Sequence, residues 1–252
     1  LESANYRKRV IATFPFGIGR RPKAVLTVTH GQRPPAFVVP AVNKVLVLRP
    51  ASRPVPSAAG TPPIAMPGLR RVRTHDVLSA VTRPHAPSAP LPVGGVDELW
   101  TDAAPPASLA LVRGAYGDEP LVQVSAVREA VVFARPHPDD ADLTRRLSLL
   151  QRQAGLSRAA FSRYWEQVHA PLTHCHRHVA RYVQNHVLDT EGADAASAGA
   201  FDGMAEFEVG DVQGMESDYL TPEGLRMRQD VARFAATVST YWVRTREWRL
   251  PA

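Results

Sequence analysis

Between His169 and His186 the chain places five histidines, His169, His174, His176, His178 and His186, together with its single cysteine, Cys175. An imidazole titrates near neutrality, so His169 is a candidate general base or hydrogen-bond donor towards a bound phenol or ketone. Its other reading is a helix-end histidine that caps carbonyls beside Pro171 and packs near Trp165. His174 and His178 lie four apart and could share a helical face as zinc ligands do. Pro171 and a strand beginning near Val179 interrupt such a helix, and no Asp or Glu lies within residues 169–188. The site is therefore expected to hold no metal. Asn185 and His186 end a strand, and alternation sends them to opposite faces, so without a bulge one of them lines a pocket. His169, Asn185 and His186 form the expected catalytic set. Glu206 beside Phe207, and Glu98 near Trp100, would be raised-pKa acids or bases if buried and pairing residues if solvated.

These groups need elements to hold them. Residues around Leu147 and Leu149 alternate as a short half-buried strand. Gly155 ends it, and the Ser157 hydroxyl is placed to cap a helix. Phe161, Tyr164, Trp165, Val168 and Leu172 recur at helical spacing, and Trp165 and His169 fall on one side of that helix. Pro171 closes it or loosens its last turn. Arg181, Val183 and Asn185 alternate with Tyr182, Gln184 and His186, giving a strand with two unlike faces.

The front of the chain is less regular. Lys23–Thr29 could be a strand, and Gly17-Ile18-Gly19 is no dinucleotide fingerprint, because no third glycine or helix follows. From residue 42 the order is clearer. It runs through a strand in VNKVLVL around Val45 and Val47, then a stretch from Pro50 to Pro67 holding six prolines, which excludes a regular helix. A strand over 68–81, a proline-rich loop over 83–92 and a strand over 95–100 follow. Leu109, Val112 and Tyr116 then mark a helix within 105–116, and 127–135 is a fourth strand.

An internal repeat is visible. Residues 70–75, RRVRTH, echo 181–186, RYVQNH, at an offset of 111, so that Thr74 and His75 are counterparts of Asn185 and His186. Gly95-Val96-Asp97-Glu98 echoes Gly203-Met204-Ala205-Glu206 at 108, and Val127 echoes Val238 at 111. The first copy has the proline-rich stretch where the second has the Trp165/His169 helix, so it reads as a degenerate half. The expected organisation is a basic segment over 1–41, a degenerate repeat over 42–138 and a complete one over 139–252.

Gly155-Leu156-Ser157, Phe161, Tyr164-Trp165, Val168-His169-Ala170-Pro171 and Arg181 to His186 resemble the EthD family of dimeric α/β-barrel proteins. The resemblance continues through Phe201-Asp202-Gly203 with Ala205-Glu206, and Thr221-Pro222-Glu223-Gly224, to the last strand near Trp242. It implies an α+β fold of tandem ferredoxin-like repeats whose two sheets close one barrel in a single chain, around a mostly apolar chamber. Trp165, Tyr182, His75, Trp100 and Glu206 are the expected substrate contacts.

The doubled organisation is similar to that of ring-opening oxygenases of angucycline-type polyketide pathways. That implies an oxygenase acting on a polycyclic aromatic or quinone-like small molecule. It implies no tightly bound cofactor, with electrons drawn from the substrate or from reduced flavin supplied externally, for which a flavin reductase would be the partner. A polyketide-type cyclase of the same fold and a non-catalytic accessory protein of an oxidative pathway are the alternatives, because a fold does not fix a reaction.

Composition narrows the classes. A 44% hydrophobic, 21% charged chain of 252 residues is ordinary for a globular protein. No apolar run approaches the roughly 18 residues of a membrane span, and residues 1–41 hold no signal-peptide core. The lone cysteine fits a reducing, cytoplasmic setting. Residues 1–95 carry 14 Lys/Arg against 2 Asp/Glu and 15 of the 23 prolines, whereas residues 96–252 carry 16 against 22. The basic front lacks the interleaved aromatics that stack on single-stranded bases, so nucleic acid is not an expected partner. No membrane partner is expected, and a homodimer is compatible with the family's habit of association.

Overall fold

Leu46 and Leu48 leave the first strand on one side and Val45 and Val47 on the other, and all four are fully buried. A strand apolar on both faces must separate two cores. The computed structural model describes residues 43–51, 62–81, 92–137, 143–191 and 200–251, all within one compact unit, Val39–Ala252. The basic segment 1–41 with its candidate strand and glycine pair, most of the Pro50–Pro67 stretch, and the 83–92 loop except Pro92 lie outside the described residues.

Eight antiparallel strands form a closed barrel. They are β1 (Asn43–Pro50), β2 (Leu69–Val81), β3 (Val93–Thr101), β4 (Gln123–Ala134), β5 (Thr144–Arg152), β6 (Val179–Glu191), β7 (Gly203–Val209) and β8 (Ala235–Arg249). Around the barrel the order is β1-β3-β2-β8-β5-β7-β6-β4, and β4 closes onto β1. The first four strands are contiguous as β4-β1-β3-β2 and the last four, in the matching sense, as β8-β5-β7-β6. They meet at two seams, β2 with β8 and β4 with β6. Closure leaves no free sheet edge. No helix among the described residues is long and apolar enough to cross a membrane.

The helices cover the outside. Helix α1 (Ala107–Tyr116) lays Leu109, Val112 and Tyr116 on Val45, Val47, Val72, Leu99 and Val124. Over the second half, α2 (Arg158–Tyr164) runs into a π turn, Trp165–His169, then α3 (Ala170–Leu172) and a 3₁₀ turn, Thr173–Cys175. The Ser157 side chain caps α2 by accepting from Ala160 N. With α4 (Val212–Asp218) and α5 (Pro222–Val231) these bury Phe161, Trp165, Tyr182, Phe207, Met215 and Phe234 on the outer sheet face. Among the described residues between β1 and β2 no helix occurs.

Ladder register corrects the spacing read from sequence. Leu46 pairs with Glu98 as Leu147 pairs with Glu206, and Arg73 pairs with Glu98 as Val183 pairs with Glu206. His75 therefore corresponds to Asn185, one residue off the expected partner His186. Likewise Val127, opposite Lys44, corresponds to Val243, opposite Arg145, rather than to Val238. A one-residue slip exchanges the two faces of a strand, so the correction decides which side chains enter the barrel.

Candidate active site in the barrel interior

Period-two alternation from the paired positions Leu46, Glu98, Leu147 and Glu206 sends one side chain in two inward. One part of the interior is a packed apolar core of Leu46, Leu48, Val96, Val127, Leu147, Leu149, Val187, Met204 and Tyr241. The other part is charged. Lys44 Nζ lies 2.7 Å from Glu98 Oε1, 2.8 Å from Glu206 Oε1 and 2.8 Å from Glu129 Oε2. Arg73 Nη1 lies 3.1 Å from Glu98 Oε2 and 3.3 Å from Glu206 Oε2, and its Nη2 is 2.9 Å from Glu247. The two carboxylates and two cations thus form a ring, with Glu98 and Glu206 each touching both cations. The expected greasy chamber is instead half apolar and half ionic.

Charges this deep persist only when paired, because desolvation penalises each of them. Burial works against the Lys44 ammonium, but Glu206, Glu98 and Glu129 outweigh it and raise its pKa. Burial likewise opposes ionisation of Glu98, yet Lys44, His75 and Arg73 hold it well below the usual carboxylate range. Glu206 goes the other way: burial and the neighbouring Glu98 charge push it up, against Lys44 and Arg73. One carboxylate held ionised beside one pushed towards the acid form is the arrangement that acid–base chemistry uses.

His75 and Asn185, the register counterparts, flank the ring. His75 Nε2 is 3.3 Å from Glu98 Oε2, and its Nδ1 is 2.8 Å from Thr245 Oγ1. Asn185 donates from Nδ2 to Glu206 Oε1 at 2.5 Å and to the Met204 carbonyl at 3.2 Å. Trp100 stands at the rim, with Arg71 4.2 Å and Lys44 4.8 Å from its ring centre. Glu129 is partly exposed, so solvent reaches the ring from its side. A cleft of about 430 Å³, lined by Leu78, Thr144, Arg145, Val243, Arg244 and Thr245, opens where β8 meets β2 and β5, and includes the threonine that holds His75.

Donor atoms of His75, Glu98 and Glu206 lie within 4.8 Å of one another, a set that could hold a metal ion. It does not fit one here. Lys44 Nζ already sits within 2.8 Å of three carboxylates, and Arg73 bridges their other oxygens. The protein supplies its own cations at the point an ion would take.

Of the residues expected from sequence, the barrel brings together His75, Trp100, Asn185 and Glu206. Glu98 and Glu206 are buried rather than solvated. Trp165, His169, Tyr182 and His186 are on the other side of the sheet, beneath the helices. The Trp165 indole donates to Tyr182 Oη at 3.1 Å, and its ring lies 4.8 Å from that of His186. His169 Nδ1 is 3.0 Å from Asp230 Oδ2, and its ring packs on Phe234. Burial pushes Asp230 up, but hydrogen bonds from His169 and Tyr164 overcome it and hold its pKa low. These four are not brought together with Asn185, since the helix that carries two of them packs on the outer face. Lys44, Arg73, Glu129, Thr245 and Glu247 join the site without having been expected there. A signal existed for two of them: Lys44 shares a strand face with Leu46 and Leu48, and Arg71, Arg73 and His75 alternate along β2.

Comparison with known proteins agrees with this architecture. Residues 153–237 match the EthD domain. No curated protein matches the chain. Among solved structures, an anthrone oxidase-like protein is 12% identical and superposes at a TM-score of 0.52, covering 84% of this chain and 96% of its own, which shows the shared fold. A candidate monooxygenase from Lactobacillus acidophilus gives 0.42 at 8% identity, over 82% of this chain and 95% of its own. An EthD family protein of Bacillus halodurans gives 0.30 at 17% identity, over 43% of this chain and 99% of its own.

Proposed function

We propose that the protein is an oxidoreductase of the oxygenase type, acting on a flat polycyclic aromatic or quinone-like molecule at the ionic end of the barrel. The observation that carries this reading is the carboxylate pair, Glu98 and Glu206, ringed by Lys44 and Arg73 and flanked by His75 and Asn185. Supporting it is the shared fold with a protein named anthrone oxidase-like. In this reading the two halves, 42–138 and 139–252, are tandem ferredoxin-like repeats, the first degenerate, and each contributes one carboxylate.

Glu98, ionised, takes a proton from an activated ring methylene or phenol of the substrate, and His75, fixed by Thr245, orders that carboxylate. Asn185 orients Glu206 as the acid partner. Lys44 and Arg73 stabilise the negative charge that develops on the substrate oxygen. Trp100 offers an aromatic face at the entrance. The electron-rich carbanion reacts with dioxygen, and a methylene becomes a carbonyl while the second oxygen atom leaves as water. All four electrons that reduce the dioxygen come from the substrate methylene, so this conversion needs no further reductant. The test is oxygen uptake by purified protein with an anthrone, followed by quinone absorbance. Uptake that E98Q lowers by at least about 100-fold supports the reading. Binding without uptake points to an accessory protein, and ring closure without uptake to a cyclase, because acid–base groups alone suffice for that. Either result ends the oxygenase reading.

A further inference from the structure

A second constellation lies outside the barrel, at the joint between α2 and the outer face of β6. Ser162 Oγ is 2.6 Å from His186 Nδ1, and His186 Nε2 is 3.1 Å from Gln184 Oε1. The direction of each hydrogen bond follows from the next group along. Gln184 Nε2 donates to the Trp165 carbonyl at 3.1 Å and to Tyr182 Oη at 3.0 Å. Its Oε1 is therefore an acceptor, and His186 Nε2 carries the proton. That leaves a lone pair on Nδ1, so the Ser162 hydroxyl is the donor.

A hydroxyl donating to an imidazole whose other nitrogen is pinned by a third group is the geometry of an activated nucleophile. Burial favours the free base. His186 is buried and pairs across the β4–β6 ladder with Arg128, which forms an exposed ion pair with Glu166. Burial first, and Arg128 second, push the His186 pKa down to about 4, while Glu166 acts weakly the other way. Ser162 is half-buried beside this exposed pair, so it is open to a small reagent.

We propose that Ser162, with His186 as its base and Gln184 as the group that orients the base, is a nucleophilic site for small activated acyl esters. The Ser162 oxygen forms a bond to the acyl carbon, and the bond from that carbon to the aryloxide breaks. The serine proton passes to His186 Nδ1 and then to the departing aryloxide, so the products are acyl-Ser162 and a phenol. No oxidant or reductant is involved, and the chemistry stands apart from that of the barrel.

The test treats the full chain with p-nitrophenyl acetate, follows p-nitrophenolate release, and maps the acetyl group by peptide mass spectrometry. The expected result is one acetyl on Ser162, lost in S162A and slowed at least about tenfold in Q184L. The labelling rate is expected to stay flat between about pH 6 and pH 8, because the base is already free throughout, whereas an unassisted hydroxyl speeds up with hydroxide. S162A removes a single half-buried oxygen and keeps the fold testable, which circular dichroism checks. Acetyl confined to lysines and the amino terminus, or Ser162 labelling that rises with hydroxide, overturns the assignment.

Discussion

Glu98 and Glu206 reach the barrel interior from opposite halves of the chain and lie against the same two cations, Lys44 and Arg73. Both cations come from β1 and β2, so Glu98 is balanced within its own half, whereas Glu206 depends on the other half for its charge partners. Removing Lys44 takes a cation from three carboxylates at once and leaves Glu98 and Glu206 to share Arg73. K44M is expected to destabilise the fold by about 3–5 kcal/mol, the range for breaking a buried ion pair. E206Q in the K44M background should recover part of that loss by relieving the Glu98–Glu206 repulsion. Urea denaturation of the two single variants and the double gives the coupling; strictly additive effects would mean that the two groups do not interact.

Gly203 begins β7 directly beneath Trp165. A Cβ there would overlap the indole, with Cη2 at 3.1 Å and Cε3 at 3.2 Å. Trp165 is held by Tyr182 and by the rings of Phe161 and His186 and has little room to give. G203A is expected to lose about 1–3 kcal/mol and to change the tryptophan emission, as read by thermal melting and fluorescence. An unchanged melting temperature would show that the indole can move.

Acid should unfold the protein in two stages. His186 titrates near 6.5 in an unfolded chain, and burial lowers this to about 4 in the fold. The native state thus binds fewer protons in that interval. Its contribution is complete above the unfolded value and is lost as pH falls towards 4, by roughly 3 kcal/mol. Below that, Glu98 and Glu247, both held low by their cationic neighbours against burial, lose their contributions as they protonate. Glu206, raised by burial and by the Glu98 charge, acts in the opposite sense above the ordinary carboxylate range. Denaturation at several pH values checks the first stage, which H186Q should flatten.

Asp230 ties two helical segments together, accepting from Tyr164 at 2.7 Å and lying 3.0 Å from His169 Nδ1. D230N keeps the shape but removes the charge. The expected loss is about 1.5–3 kcal/mol, the range for a hydrogen bond to a charged group. Hydrogen exchange should rise first in the π turn, Trp165–His169. Uniform loosening of the whole chain would show that the contact is not local.

The second half was legible because its helix, cap and alternating strand are local patterns. Ser157 caps, Phe161 and Trp165 face inward to the sheet, and Asn185 and His186 part company as alternation requires. The ionic ring was not legible, since Lys44, Glu98, Glu129 and Glu206 are scattered along the chain and meet only after closure. The His75–His186 match misled for a related reason: a six-residue echo cannot fix strand register to a single position, and one position decides inside from outside. The charged partners of His169 and His178, Asp230 and Asp218, lie 61 and 40 residues away in sequence, beyond any local pattern.

The family match begins at residue 153, just after β5 ends, although β5 pairs with both β7 and β8. A fragment excised at the bounds of the match would expose the backbone amides of β7 along one whole side and leave only residues 235–237 of β8. It would be a template for self-association rather than a module. Anyone trimming this chain for expression should cut before Thr144, and would still sever both seams through which the halves hold each other shut.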